Sequence, residues 1–420
     1  MRNTPPPGSS WPPEPHRPNG PDTFPHQHEQ VWAWPPGTES GAGPAPQAWA
    51  WPPPAQPRQA GSGLARPAAG TPYHRMARTR KYRWWTPVLA VVSAVVLIVV
   101  VQVVMGMAAL IIAVLNGVTS TADSFFGAVL PDLVFQLLVV ATMAPIVFFT
   151  AWLVQRRPLG TLFSVEGRLR WRWLLVCSLA AIPPLLISFT VMFGLLQISA
   201  PGSPFLGAFN GADDFVLAIL VIVALVPFQA AAEEFALRGF LMQAVGSYGA
   251  DRAERRGGTP VSRFLRTPVL AIIVSGTVFT LLHDYFGWGL LDVAVFGIAM
   301  AWLTWYTGGL EAAVGLHVLH NLVAFSITAY EGTLEDAATG GGSWQGVVGT
   351  MVEVALYCLV VVWLARRMGI HRTVPGDRAD PGAWPDASAP GTPPMWGPQH
   401  HWGPEASRYW GPRPPGSGAT

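Results

Sequence analysis

Three groups of polar residues interrupt apolar stretches of this sequence between residues 214 and 330. In chain order they are Glu233, Glu234 and Arg238, then His283, and then His317 and Asn321. A carboxylate can take a proton from water, and imidazole and amide groups can donate hydrogen bonds to a developing oxyanion. These residue types therefore suit hydrolysis of a peptide bond by an activated water molecule.

The spacing within the first and third groups fits α-helix geometry. Glu234 and Arg238 are four residues apart with the acid on the N-terminal side, so they can pair on one helix face. Glu233 is rotated by about 100° from Glu234 and can point elsewhere, which makes it the natural general base. His317 and Asn321 are also four residues apart and share a face.

The elements that position these groups are helices long enough to cross a membrane. Of the 420 residues, 50% are hydrophobic and only 12% are charged, whereas a soluble globular protein has about 25% charged residues. Eight apolar runs are long enough to span a bilayer core about 30 Å thick: 87–115, 129–154, 173–197, 214–245, 266–284, 288–307, 310–330 and 345–366. The sequence therefore predicts an all-α fold, a polytopic transmembrane bundle of about eight helices.

Loop charges orient this bundle. Lys and Arg cluster before the first run, between the second and third, between the fourth and fifth, and after the eighth, whereas the intervening loops contain Asp and Glu but no Lys or Arg. By the positive-inside rule both tails are cytoplasmic, the number of helices is even, and we expect a multi-pass protein of the plasma membrane. The net charge of +2 gives no indication of nucleic-acid binding.

Both ends of the chain differ in composition from the middle. Residues 1–80 are dominated by Pro, Gly, Ala and Gln and contain Trp-Ala-Trp-Pro-Pro twice, and residues 371–420 repeat Trp-Gly-Pro. Proline at this density blocks helices and sheet ladders, and few aliphatic side chains are available to bury. The sequence predicts disordered cytoplasmic tails at 1–80 and 371–420 around a membrane core at 81–370, with the candidate site at 233–321.

Charged groups inside a bilayer are unfavourable, at about 2.5–3.5 kcal/mol each even on lenient insertion scales. Their co-occurrence on consecutive helices therefore indicates function. Asp292, His320 and Glu353 are also embedded in apolar runs. No partner for them can be named from the sequence, so structural hydrogen bonding or packing is their default interpretation.

The three groups resemble the motifs of the CPBP family of intramembrane peptidases, which includes the type II CAAX prenyl endopeptidase and bacteriocin-processing or immunity proteins. The family pattern is Glu-Glu-x-x-x-Arg, then Phe-x-x-x-His, then His-x-x-x-Asn, each on its own transmembrane helix. This chain has Glu233 to Arg238, Phe279 to His283 and His317 to Asn321, in the same order and without substitution. The similarity covers roughly residues 130–330.

The resemblance implies an intramembrane endopeptidase that acts on a membrane-associated protein or peptide. It assigns Glu233 and His283 to the attacking water, and it places His317 and Asn321 where they stabilise the tetrahedral intermediate. Glu233, His283 and His317 would also suit Zn²⁺ in a metallopeptidase, but asparagine is a poor zinc ligand and fits an oxyanion donor better. The favoured mechanism is glutamate-activated water, with zinc as the alternative.

Two other functions are open at this point, a non-enzymatic immunity or adaptor protein and an ion-coupled transporter. The intact motifs argue against the first, and the lack of a convincing internal repeat argues against the second. The sequence does not determine the substrate, its prenylation or the oligomeric state. His283 presents a geometric difficulty, because at 1.5 Å per residue it lies about 25 Å from Arg266, nearer the outer face than Glu233 and His317.

Overall fold

The computed structural model describes residues 63–376, apart from 122–123, 205, 253, 255 and 337–338. The parts of the predicted tails at 1–62 and 377–420 lie outside the described residues. The described chain is mostly helical, which confirms the all-α prediction. Its α-helices are α1 Thr86–Leu115, α2 Val129–Ala141, α3 Met143–Leu153, α4 Trp171–Ser199, α5 Ala212–Glu234, α6 Met242–Gly246, α7 Pro260–Leu265, α8 Val269–Leu281, α9 Gly287–Thr307, α10 Glu311–Glu331 and α11 Trp344–Arg367. Strands β1 Asp284–Tyr285 and β2 Thr339–Gly340 pair in parallel.

Seven stretches of the described chain are long and apolar enough to cross a membrane. They are Thr86–Leu115, Val129–Leu153, Trp171–Ser199, Ala212–Gly246, Gly287–Thr307, Glu311–Glu331 and Trp344–Arg367. The remaining predicted segment, 266–284, contains only α8, whose 13 residues extend about 20 Å. This helix is shorter than predicted because it begins after Pro268 and the chain turns into β1 soon after Leu281.

The two ends of the described chain lie on the same face of the bundle. Pro72 and Thr373 form an isolated antiparallel bridge. The N–H of Gly70 donates to the carbonyl of Val374 at 2.8 Å, and the N–H of Val374 donates to Thr71 at 2.9 Å. Seven crossings would leave these ends on opposite faces, so a membrane topology that keeps this pairing needs the short α8 as an eighth crossing.

Glycines draw α8 and α9 together beneath the candidate site. A methyl group at Gly276 would come within 2.9 Å of Ile298, and one at Gly297 would come within 2.8 Å of the Phe279 ring. Small residues allow helix backbones to approach closely inside a membrane, where packing rather than hydrophobic burial holds helices together. The result is that Phe279 lies directly against α9, next to the polar groups described below.

A π-helical segment, Phe235–Leu241, joins α5 to α6. Such segments are rare and are frequent at functional sites, because they break the regular hydrogen-bond ladder and redirect side chains. Here the hydroxyl of Ser275 on α8 donates to the carbonyl of Leu237 at 3.0 Å, which gives the irregular backbone a tertiary partner. The segment begins directly after Glu234 and contains Arg238, so it sets the orientation of that pair.

Residues 73–84, called here the N-terminal latch, pack over α6 and the loop that follows it. The Tyr73 hydroxyl donates to the carbonyl of Leu162 at 2.5 Å.

Three further residues of the latch, His74, Arg75 and Arg78, make polar contacts. Burial lowers the pKa of His74 to about 4, and Nε2 of the neutral ring donates to the carbonyl of Arg266 at 3.0 Å. Arg75 and Arg78 both pair with Asp251, at 2.6 and 3.0 Å. The latch therefore holds α6 and the loop after it in place, on the face of the bundle where the π-helical segment and α6 end.

The latch overlaps the segment 1–80 that the sequence assigns to a tail. Tyr73, Met76 and Ala77 are buried, with 0%, 1% and 7% of their surface exposed. The boundary at residue 80 does not mark the edge of the packed chain. A short run of aromatic and basic residues within a proline-rich stretch finds apolar and acidic partners only in the folded bundle.

Deleting residues 1–80 should lower the melting temperature of the purified protein in detergent, whereas deleting residues 1–62 should leave it little changed. The longer deletion removes Tyr73 and Met76 from the core, and each fully buried side chain of this size contributes roughly 1.5–3 kcal/mol. The shorter deletion removes none of the described contacts. Equal melting temperatures for the two truncated proteins would show that the latch adds nothing to stability.

Candidate active site

Glu233 and Glu234, at the end of α5, point in different directions. Glu234 is fully buried, whereas Glu233 keeps 9% of its surface exposed and lines a cavity. Consecutive residues on a helix are rotated by about 100°, so one turn of helix can present two adjacent carboxylates to two environments. One carboxylate is therefore held inside the protein and the other is available to the cavity.

Oε1 of Glu234 accepts hydrogen bonds from two different elements. Nη1 of Arg238 donates to it at 2.9 Å within an ion pair, and Nδ1 of His317 on α10 donates to it at 2.8 Å. With its proton on Nδ1, the His317 ring presents Nε2 to the other carboxylate, at 3.5 Å from Oε2 of Glu233. Glu234 thereby orients the His317 ring, much as a buried carboxylate orients histidine in a Ser-His-Asp triad.

The Arg238 guanidinium is fully buried and is held on three sides. Besides Glu234, it donates from Nη2 to the carbonyl of Gly297 at 3.2 Å. Its Cζ lies 4.1 Å from the centroid of the Phe279 ring, a cation–π contact. Phe279 is the first residue of the second motif, so this contact joins the second motif to the first.

Gln229 is a site residue that the sequence analysis did not identify. Its Nε2 donates to Oε1 of Glu233 at 2.5 Å, and its Oε1 accepts from Nδ2 of Asn321 at 3.2 Å. The amide thus links the third motif to Glu233. The available signal was its position four residues before Glu233, one helical turn away on the same face. One N–H of Asn321 is used in this contact, and the second is left for another acceptor.

A cavity of about 910 Å³ adjoins Glu233. Its walls are mainly apolar side chains from α1, α2, α3, α5, α8, α9 and α10, and polar lining groups include Glu233, His283, Asp292, His317, His320 and Asn321. Oε2 of Glu233 is buried but has no hydrogen-bond partner among the described residues. A carboxylate oxygen without a hydrogen-bond partner retains the capacity to accept a hydrogen bond from a water molecule or a polar substrate group.

His283 lines the same cavity but contacts none of the other motif residues except Phe279. Its Nδ1 lies 2.7 Å from the carbonyl of Phe279, and the two rings are 4.5 Å apart. Within the described residues His283 makes no hydrogen bond to Glu233 or His317. The cavity extends along α8 to its end, so His283 reaches it even though it follows the last residue of the helix.

The residues suggested as zinc ligands do not form a ligand cluster. Among the described residues, no group of three or more His, Cys, Asp or Glu side chains is arranged to hold a metal ion. Nε2 of His317 and Oε2 of Glu233 lie 3.5 Å apart, but no third donor joins them among the described residues. The donor set present here does not fit a zinc site, and the mechanism proposed below uses no metal.

Asp292, His320 and Glu353, for which the sequence alone named no partner, form a second polar cluster. Nδ1 of His320 lies 3.2 Å from each carboxylate oxygen of Glu353 on α11. Asp292 on α9 also lines the cavity, and its Oδ1 has no hydrogen-bond partner among the described residues. This cluster lies on the same cavity as Glu233 and His317.

Comparison with known proteins connects this geometry to a family. Residues 214–323 match the family model described as Type II CAAX prenyl endopeptidase Rce1-like. An uncharacterized protein, YyaK of Bacillus subtilis strain 168, is 25% identical over 185 residues, which cover 42% of this chain and 55% of that protein. The chain thus spans about half the length of this curated relative. No solved structure matches the chain significantly.

The matched residues run from the start of α5 into α10. They include all three motifs, the π-helical segment and Gln229, and they exclude α1, α4 and α11. The family resemblance drawn from the sequence is therefore confirmed, and the segment that carries the candidate site is an Rce1-like one.

Proposed function

We propose that this protein is an intramembrane endopeptidase that hydrolyses a peptide bond by water activated at Glu233. The observation that carries the proposal is the environment of that carboxylate. Oε1 is anchored by Gln229, while Oε2 accepts no hydrogen bond from the described residues and lies 3.5 Å from Nε2 of His317, and the Glu233 side chain lines the cavity. A positioned carboxylate with one free oxygen is what a general base for water requires.

In the proposed reaction, a water molecule on Oε2 of Glu233 attacks the scissile carbonyl carbon. The water gives one proton to Glu233, and its oxygen forms the new bond to carbon. Gln229 keeps the carboxylate from rotating, so the base stays aligned with the bound substrate. A general base held in this way accelerates such reactions by roughly 10²–10⁴-fold.

Two groups are available to stabilise the oxyanion that forms on the carbonyl oxygen. His317 can donate from Nε2 when both ring nitrogens are protonated, with Nδ1 bound to the Glu234 carboxylate. Asn321 can donate its second N–H. Donors held in place before the reaction act strongly in a site that excludes water. His283, with Nδ1 occupied by a backbone carbonyl, would present Nε2 to the water or to the substrate.

The apolar walls of the cavity support a substrate that is itself in the membrane, either a membrane-associated protein or an apolar peptide. The family description supports cleavage of a peptide bond as the reaction, but it does not determine whether the substrate of this chain is prenylated. The exposed apolar side chains of α1, such as Val92, Val96 and Val103, support a position in the lipid bilayer.

Glu233→Gln should reduce turnover by roughly 10²–10⁴-fold with little change in melting temperature. The amide keeps the shape and hydrogen bonding of the carboxylate but cannot accept the proton of water. Proteomic comparison of membrane and secreted peptides from cells that carry the wild-type protein or the Glu233→Gln variant would identify the cleaved substrates. Purified protein in detergent would then be assayed on those substrates.

Glu331→Gln is a matched control, since Glu331 ends α10 and accepts from the N–H of Gly207 outside the cavity. This variant should cleave at the wild-type rate. Near-normal turnover by Glu233→Gln would remove the proposed mechanism, whereas no cleavage by the wild-type protein itself would favour a non-enzymatic adaptor or immunity role. Ion transport into proteoliposomes would instead favour the transporter.

Glu234→Gln should lower both stability and turnover, because Arg238 and His317 lose their shared anionic partner. Removing one member of a buried ion pair destabilises by about 3–5 kcal/mol. The double variant Glu234→Gln/Arg238→Met should regain much of the melting temperature, since no charge is left unpaired, but not the turnover. Full recovery of turnover would show that Glu234 does not act through His317.

We also propose a multi-pass position in the plasma membrane with the latch on the cytoplasmic side. Arg75 and Arg78 pair with Asp251 and Glu254, so the latch and the loop after α6 share one face. Reporter fusions after Ala250 should read cytoplasmic, and fusions at residue 337 should read extracytoplasmic. The reverse pattern at either position would contradict this topology.

A further inference from the structure

A second histidine–glutamate pair faces the cavity beside the first. His320 follows His317 by three residues, so both rings project from one side of α10. Glu353 is 2% exposed, and its two oxygens lie 3.2 Å from Nδ1 of His320. The His320 side chain keeps 31% of its surface exposed, and it lines the cavity. The ring is thus anchored at one nitrogen and open at the other.

This arrangement repeats that of His317 and Glu234. In both pairs a buried carboxylate accepts a hydrogen bond from Nδ1 of a histidine on α10, and Nε2 is directed away from that carboxylate. The Phe296 ring separates the two imidazoles, with its centroid 5.4 Å from His317 and 5.0 Å from His320. Nε2 of His320 makes no hydrogen bond within the described residues.

The surroundings of His320 favour its doubly protonated form. Helix α10 packs against α4, α5 and α9, and α11 contacts it through Glu353 and Tyr357. The charged or titratable groups that line the cavity besides His320 are Glu233 on α5, Asp292 on α9, His317 on α10, and His283, Asp284 and Tyr285 after α8, with Glu353 in contact with the ring. Helix α4 has no charged residue after Arg172. Carboxylates therefore outnumber cations around the imidazole, and a carboxylate in contact with Nδ1 stabilises the imidazolium.

Packing alone does not account for the pair. Burying a carboxylate and an imidazole in a membrane helix bundle is unfavourable, and apolar residues of similar volume are often as stable or more so. Glu353 also lies outside the segment that matches the family, so its contact with His320 is a feature of this chain that the family match does not supply. The pair occupies a position where a proton donor would be useful.

The proposed hydrolysis needs such a donor. An amide nitrogen leaves only after it gains a proton, because the unprotonated amide anion is too basic to be expelled. Glu233 is assigned to the water, and His317 and Asn321 are assigned to the oxyanion. No group has yet been given to the leaving nitrogen.

We propose that His320 is the general acid that protonates the leaving amine, and that Glu353 is its positioning residue; this inference rests on the proposed peptidase function. Nε2–H of His320 transfers its proton to the nitrogen of the tetrahedral intermediate as the C–N bond breaks. The electrons of the oxyanion re-form the C=O bond, and the products are a free amine and a carboxylic acid, which then loses its proton to solvent to become the carboxylate. The proton that Glu233 took from water returns through solvent to Nε2 of His320, which restores both groups.

The test compares two probes with the full-length protein in detergent. One is a peptide containing a cleavage site identified by the comparison of wild type with Glu233→Gln. The other is the p-nitrophenyl ester of its N-terminal segment, whose phenolate leaves without a proton. His320→Gln should reduce cleavage of the peptide by roughly 10²-fold or more and hydrolysis of the ester by no more than about threefold.

Glu233→Gln is the internal reference, because the base acts on both probes and its loss should reduce both equally. If Glu233→Gln leaves both rates unchanged, the proposed function itself fails. If it reduces both, while His320→Gln reduces both equally or neither, only the role of His320 is overturned. A selective loss on the peptide supports it.

Glu353→Gln provides a second measurement that does not require His320 to be replaced. The neutral amide can still accept from Nδ1 but stabilises the imidazolium less. The alkaline limb of the pH profile of kcat for the peptide should therefore move to lower pH, while the profile for the ester stays unchanged. A purely structural pair would change the melting temperature without moving the limb, and that result would overturn the inference even if His320→Gln failed to fold.

Discussion

The site depends on one buried oxygen, Oε1 of Glu234. It binds Arg238 from the π-helical segment and His317 from α10, and so connects two elements that are far apart in sequence. In the low dielectric of a membrane protein interior, a carboxylate without such partners would be strongly unfavourable. The same interaction that makes the buried charge tolerable therefore also aligns the histidine with Glu233.

The rest of the bundle holds this connection in place. The π-helical segment turns Arg238 toward Phe279 and the carbonyl of Gly297, and close contact between α8 and α9 brings both of those groups within reach. The N-terminal latch packs against α6, where that segment ends. The latch and the candidate site are thus connected through α6 and the π-helical segment, which are continuous in the chain.

By itself the sequence determined the fold class, the apolar segments and the three motifs. These features are local, because helix length follows from runs of apolar residues and the pairing of Glu234 with Arg238 follows from a spacing of four. Loop charges gave an even number of crossings, which fits the pairing of Pro72 with Thr373. The sequence did not predict that α8 is short, because the end of that helix depends on how the chain turns in the folded bundle. It also did not predict that Tyr73 is packed, because the proline-rich composition of residues 1–80 hides a short structured run.

The tertiary structure alone decided which polar groups meet. Gln229 joins Asn321 to Glu233, and Glu353 meets His320, although no spacing relates residues on separate helices. It also left His283 without a hydrogen bond to Glu233 or His317, and among the described residues the expected zinc ligands do not form a cluster. Periodicity fixes the face of a helix on which a residue lies, but the partner across that face depends on helix crossing, rotation and depth, which are properties of the packed bundle.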